Sequence, residues 1–433
     1  MGLSIFERGR LPRWLPVRQE LDTTEITDIP GAVAEAVRAP HIASRIPEGG
    51  QVAIAVGSRG IDRIAEVTAA VVAEVRRLGA EPFIVPAMGS HGGATAEGQV
   101  AMLAHLGVTE ETVGAPIRAS METVVLGHVA GGVPVYFDKI AATLADAVIP
   151  IARVKPHTDF KGPTESGLIK MIAIGLGKQH GADTLHAQGD FRFPELLPQV
   201  AELSLERARI PFGIALVENG RSRLAHIEAV PAETTYEREK ELLQMAREKL
   251  ARLPGTALDV LIIDRIGKDI SGTGADANVI NRYYRGPLAA KPTIQRIIVR
   301  DLTDDTDGNA SGIGMADVVL RRAAERVDVV KTYMNCITAK KPEEARIPLT
   351  VDTDRQALYV ALACCIGVMT ETARIARIPD TKHLERLWVS EPWWEAELMH
   401  AGTLTPEGAP EPIAFDHQGM FANGAAGLRR TGT

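Results

Sequence analysis

The stretch QVAIAVGSRGIDRIAEVTAAVVAEVRRLGAEPFIVPAMGSHGG, residues 51–93, decides the fold class. QVAIAV is a short run of small and β-branched apolar residues that stops at Gly57 and Ser58, so it reads as a buried strand. IDRIAEVTAAVVAEVRRLGA repeats apolar residues at helical spacing and stops at Gly79, the pattern of an amphipathic helix. EPFIVP returns to strand and ends in a second glycine loop, MGSHGG, after which TAEGQVAMLAHLG (95–107) supplies another helix. Strands alternating with helices across short glycine-bearing turns imply a mostly parallel sheet covered by helices.

The same alternation extends outward. METVVLGHVAGGVPVYFD (121–138) reads as a hairpin turning at Gly131 and Gly132, and LADAVIPIARV (144–154) as another buried strand. A helix at 193–207, the strand FGIALVENG (212–220) and the helix ETTYEREKELLQMAREKLARL (233–253) complete this half. LPGTALD (253–259) marks a boundary, and the alternation restarts with DVLIIDRIG (259–267) and IQRIIVRDL (294–302). A helix near 313–325, the run VDVVKTYMN (327–335) as a strand, and the helix DTDRQALYVALACCIG (352–367) follow. The expected organisation is two α/β domains with mostly parallel sheets and an active-site cleft between them. Residues 1–255 form the first and 256–400 the second, with 401–433 a tail packing back on the first.

A chain of 433 residues with 45% hydrophobic and 24% charged side chains is ordinary for a folded protein. A formal net charge of -7 argues against nucleic acid or an anionic membrane as partner and leaves a small molecule. ALYVALACCIGVM (357–369) is too short to span a bilayer and reads as a buried helix. The opening MGLSIFERGRLPRWLPVRQE is broken by Arg, Glu and Pro and shows no signal peptide. The three cysteines, Cys336, Cys364 and Cys365, form neither a disulfide framework nor a CxxC site and read as small buried hydrophobes. A cytoplasmic location is expected, and oligomeric state is not set by these features.

In open α/β sheets ligands bind beyond the carboxyl ends of the strands. Three loops fall there: VGSRG (56–60), MGSHGG (88–93) and VKPHTDFKGP (154–163), presenting Arg59, His91 and His157. No GxGxxG follows the first strand, and P-loop, HExxH, CxxC and GxSxG motifs are absent. The acidic run DLTDDTDGN (301–309) misses calcium-loop spacing and reads as a solvated turn, while His105 and His128 read as structural. Two readings stay open on the residues alone. One is a zinc or iron hydrolase or lyase ligated by His91, His157 and His186. The other is a non-enzymatic module that captures an anionic nucleotide or organic acid.

The order strand–SRG, strand–GSHGG, strand–KPH, then GLIK and a downstream His resembles the nickel-dependent lactate racemase family over about residues 45–190. That resemblance implies a racemase or epimerase of a 2-hydroxy acid using a nickel-pincer nucleotide. It implies Lys170 as the covalent tether and His186 as the nickel ligand, with His180 as a rival. It implies His91 and His157 as the acid/base pair and Arg59 as the substrate-carboxylate partner. Lys155 and Lys161 join Arg59 at the substrate, and Ser58, Ser90 and Lys178 join Lys170 at the cofactor. The family's Asp-x-Thr-Arg-Pro is Val-Gly-Ser-Arg-Gly here, and DFKGP is inserted between His157 and Lys170. ADANVINRYYRG (275–286) does not reproduce the family's second-domain Gln and Lys. These departures point to a 2-hydroxy acid larger than lactate or differently charged.

The chemistry explains the residue types. Removing a proton beside a carboxylate would place a carbanion next to a negative charge, whereas removing hydride gives a planar 2-keto acid. No side chain accepts hydride, so a cofactor has to. Two bases are needed because the hydroxyl lies on opposite sides in the two enantiomers, and histidine titrates in the right range. The planar guanidinium of Arg59 suits a carboxylate.

Overall fold

The computed structural model describes residues 3–283, 286–287 and 290–422. The chain divides into two compact units: Asp22–Leu250, and Met1–Leu21 together with Ala251–Thr433. The first strand, β1 (Arg13–Gln19), therefore belongs with the C-terminal unit.

In the Asp22–Leu250 unit, β2 (Gln51–Val56), β3 (Glu81–Pro86), the hairpin β4 (Thr123–Val129) and β5 (Val133–Asp138), β6 (Ala147–Arg153), β7 (Phe212–Glu218) and β8 (Leu224–Pro231) follow in sequence. The main sheet runs β3-β2-β6-β7-β8, parallel up to β7 and antiparallel from β7 to β8. β2 is buried on both faces, which is why it reads as a continuous apolar run. Val52, Ile54 and Val56 pack into one layer with the helices Ile29–Arg38 and Ile64–Arg77. Ala53 and Ala55 face the opposite layer, built from the hairpin and the helix Phe193–Arg207. Each wholly buried valine contributes about 1.5–3 kcal/mol relative to exposure. The hairpin turns where expected, with Gly131 and Gly132 at φ of 78° and 73°, a region glycine enters without steric cost.

The C-terminal unit holds β9 (Ala257–Ile263), the short pair β10 (Arg282–Tyr283) and β11 (Gly286–Pro287), β12 (Thr293–Val299), β13 (Val318–Leu320), β14 (Leu349–Val351), β15 (Ile375–Ile378), β16 (Arg386–Ser390), β17 (Leu404–Pro406) and β18 (Glu411–Pro412). Its large sheet runs β14-β13-β12-β9-β15-β16-β1-β17, with β18 also on β1. The side from β14 to β15 is parallel, and the side from β15 onward is antiparallel. The α/β class holds for both units, with a mostly parallel main sheet in the Asp22–Leu250 unit and a large sheet divided between parallel and antiparallel pairing in the C-terminal unit.

Several expectations need correction. The chain re-enters the C-terminal unit at Ala251 rather than at 256. The segment after 400 pairs through β17 and β18 with β1, which lies within the expected residues 1–255 but belongs to the C-terminal unit; residues 423–433 of the expected tail lie outside the described residues. Two residues of ADANVINRYYRG, 284 and 285, do so as well. The expected helix near 313–325 is a short turn, Ile313–Met315, then β13, then a helix over Arg321–Glu325. VDVVKTYMN is helical over Val329–Thr338 because the Asp328 carboxylate accepts the Lys331 N–H and caps the first turn. The helix within 352–367 stops at Ala363, and Gly367 at φ +70° turns the chain outward, leaving Ile366 and Met369 exposed. Of the cysteines only Cys336 is buried; Cys364 is exposed and Cys365 half-buried.

Candidate functional site

Because β2 lies between β3 and β6, its terminal loop is flanked by theirs at the carboxyl edge of the sheet. The Ser58 hydroxyl, after β2, lies 2.5 Å from Nδ1 of His91, after β3. Arg153 at the end of β6 donates to the Gly60 carbonyl at 3.1 Å and to Glu218 at 2.5 Å. Glu218, closing β7, also accepts the Asp62 N–H at 2.9 Å, so the SRG loop is gripped from its far side. Arg59 has exposed surface, yet the surrounding protein lowers its pKa, chiefly by desolvation, then through the like charge of Arg153, with Asp159 opposing. The exposed surface and that desolvation pull in different directions. Solvent access governs, and Arg59 is a cation near neutral pH.

The KPH loop closes on itself. Lys155 and Ser166 exchange backbone hydrogen bonds at 3.0 and 3.2 Å, and a buried carboxylate, Glu165, organises what lies between. Glu165 accepts the His157 N–H at 2.5 Å and pairs with Arg247 at 2.8 Å and Lys161 at 3.3 Å. Lys161 also donates to the His157 carbonyl at 2.9 Å, so its amine holds the loop rather than standing out as a substrate ligand. The Asp159 N–H donates to His157 Nδ1 at 3.0 Å, and Nε2 of the same ring touches the Lys170 amine. The inserted DFKGP thus supplies structure: Asp159 and Lys161 hold His157, and Phe160 lies 4.4 Å from its ring.

Lys170 ends a short helical turn, Leu168–Lys170, that continues as a π-helical turn over Met171–Gly175. Such turns recur at functional sites, and local pattern does not reveal them. Beneath the turn lies Glu239, fully buried, accepting the Ile169 N–H at 2.9 Å. Burial pushes its carboxyl up to about 7, against the pull of the Ile169 and Leu168 N–H groups. A Cβ on Gly167 would lie 2.4 Å from that carboxyl carbon, so a side chain there would displace the Glu239 carboxyl.

His186 lies in the last turn of the helix Lys178–Ala187, its ring 5.2 Å from Phe193. Phe193 meets Phe160, which meets His157, so one row of rings runs from His186 to His157. His180 on the same helix faces elsewhere, toward Thr123 and Tyr136 of the hairpin. Ser90 is half-buried beside His91, and Lys155 half-buried at the loop's base. Lys178 departs from its expected place at the cofactor. It is 0% exposed, and its amine is directed to Pro86 and Gln99 and to Asp138 in an ion pair, leaving no surface for a ligand. Among the described residues no group of three or more His, Cys, Asp and Glu is gathered for a metal ion, so His91, His157 and His186 do not form a shared site. Sequence reading missed Gln99, Glu165, Glu239 and Arg247. Each looks like an ordinary polar helix or loop residue; tertiary burial singles out the first three, and Arg247 is singled out by its ion pair with the buried Glu165.

No helix among the described residues is long and apolar enough to cross a membrane. Neither a family model nor a curated protein matches the chain. Among solved structures, a structural-genomics protein from Thermotoga maritima is 15% identical with a TM-score of 0.49, covering 75% of this chain and 84% of its own. The lactate racemase apoprotein of Thermoanaerobacterium thermosaccharolyticum is 12% identical with a TM-score of 0.51, covering 85% of this chain and 98% of its own. The fold of this chain is thus a lactate racemase-like α/β fold.

Proposed function

We propose that the chain is a racemase or epimerase of a 2-hydroxy acid, with Lys170 as attachment point for a nickel-pincer nucleotide and His186 as the protein's nickel ligand. The observation that carries this reading is the contact between the Lys170 amine and the His157 imidazole, at strand ends adjacent to the Ser58–His91 pair. The residues fit the group in kind: an amine for the tether, and one imidazole in the ring row that reaches His157. When bound, the group supplies the hydride acceptor that side chains lack.

The chain's own residues do the rest. Arg59 binds the substrate carboxylate through its planar fork and retains the planar 2-keto acid. His91 and His157 serve opposite sides of the substrate carbon, one taking the hydroxyl proton and the other returning it. Nδ1 of His91 meets the Ser58 hydroxyl and Nδ1 of His157 accepts the Asp159 N–H, while Nε2 of His157 faces the Lys170 amine. The missing aspartate of the SRG motif favours a substrate other than lactate.

The test uses protein made in a host that synthesises the cofactor. Nickel content, intact mass and chiral chromatography of single enantiomers of 2-hydroxy acids are measured on the parent, Lys170→Ala and His186→Ala. The expected result is nickel with a Lys170 adduct in the parent, its loss in both variants, and inversion of at least one 2-hydroxy acid. Nickel retained in Lys170→Ala, or loaded parent that inverts none of the panel, would overturn the reading.

A further inference from the structure

We infer that Lys178, acting through Gln99, is a positioning residue for His91, tying the His91 loop to the helix that carries His186. This rests on the proposed role of His91.

Lys178 is an unlikely residue for its place on local grounds. It is wholly buried, and its backbone lies in the left-handed region at φ +53°, which a residue with a long side chain enters only against steric cost. What the position uses is the amine. Nζ donates to the Pro86 carbonyl at 2.5 Å and to Gln99 Oε1 at 3.2 Å. It also lies 2.9 Å from Asp138 Oδ2, an ion pair angled off the hydrogen-bond direction, with both side chains 0% exposed. Asp138 is fixed independently, since its Oδ1 accepts the Ala141 N–H at 2.8 Å.

Gln99 carries the contact forward. Wholly buried on the helix Ala96–His105, it donates through Nε2 to the Gly89 carbonyl at 2.9 Å and the His91 carbonyl at 3.3 Å. The carbonyl that ends β3, at 86, and two in the loop after it, at 89 and 91, are therefore held by two buried side chains. A buried ammonium is tolerated only where it is paired and hydrogen-bonded, so this cation fixes geometry more than it adds stability. It also begins the helix Lys178–Ala187, whose last turn bears His186.

The test reads His91 in protein without cofactor. Site-resolved hydrogen–deuterium exchange at histidine C2 is followed against pH in the parent, in Gln99→Met, and in the double variant Lys178→Met with Asp138→Asn. The double variant removes both buried charges and keeps an acceptor for the Ala141 N–H, which favours folding. In both, the His91 exchange rate at neutral pH is expected to change by about threefold, equivalent to half a pKa unit. His157, held by Glu165 instead, serves as internal control and keeps its rate. An unchanged His91 in folded variants overturns the inference, and so does an equal change at His157, which would mean general loosening. If holoprotein inverts no 2-hydroxy acid while His91 alone responds here, the functional reading fails and the positioning role stands.

Discussion

At the scale of single residues, the buried carboxyl of Glu239 gives a signed prediction. Its pKa rises from 4.5 to about 7 on folding, mainly through burial. Between those values the folded chain holds a proton that the unfolded chain has lost, so stability declines as pH rises through the window. The decline amounts to roughly 3 kcal/mol at 1.36 kcal/mol per pKa unit. Glu239→Gln removes it: the stability difference between variant and parent, from urea unfolding, shifts in favour of the variant between pH 5 and 8. Parallel curves would show that Glu239 does not titrate in that range. Sequence could not have flagged this residue. EREKELLQ reads as a solvated helix face, and Glu239 is buried only because the Lys170 turn, far away in sequence, closes over it.

At the scale of elements, the strands and helices of residues 51–107 were legible because each is periodic and punctuated by glycine. The helix Phe193–Arg207 fell where its apolar spacing placed it. Elements failed where a local competitor outweighed propensity. The Val329–Val330 pair suggested a strand, and the Asp328 cap made a helix. Of the candidate site, the three loops and their histidines were legible as strand ends, but what orders each loop was not. Glu165 shows this most clearly: it reads as a polar loop residue between Thr164 and Ser166, yet it is the buried centre of residues 155–166. Glu165→Ala removes the acceptor shared by Arg247, Lys161 and the His157 N–H, a loss of about 1–3 kcal/mol. The variant is expected to gain a tryptic cut after Lys161 that the parent resists, read by mass spectrometry of limited digests. Equal resistance in both would show that the loop is held by other contacts.

At the scale of the whole molecule, the chain is one unit inserted into another. The Asp22–Leu250 unit contributes no strand to the nine-stranded sheet, whereas β1 lies within it between β16 and β17. Pairing residues 13–19 with 386–390 and 404–406 leaves no local signal, because periodicity within a strand says nothing of its partner. The placement has a mechanical consequence. Trp14 is 0% exposed, 5.1 Å from Trp388 and 5.3 Å from Phe421, so β1 carries part of the C-terminal core. A fragment of residues 251–433 would leave β16 and β17 without their shared partner and expose the faces of both tryptophan neighbours. A fragment of residues 22–250 retains all five strands of its sheet and both packed layers. The second fragment is expected to unfold in one cooperative urea transition, and the first to lack one until a peptide of residues 1–21 is added. Circular dichroism against urea distinguishes the outcomes. A cooperative transition in residues 251–433 alone would show that β1 is an accessory to that sheet and not a structural member of it.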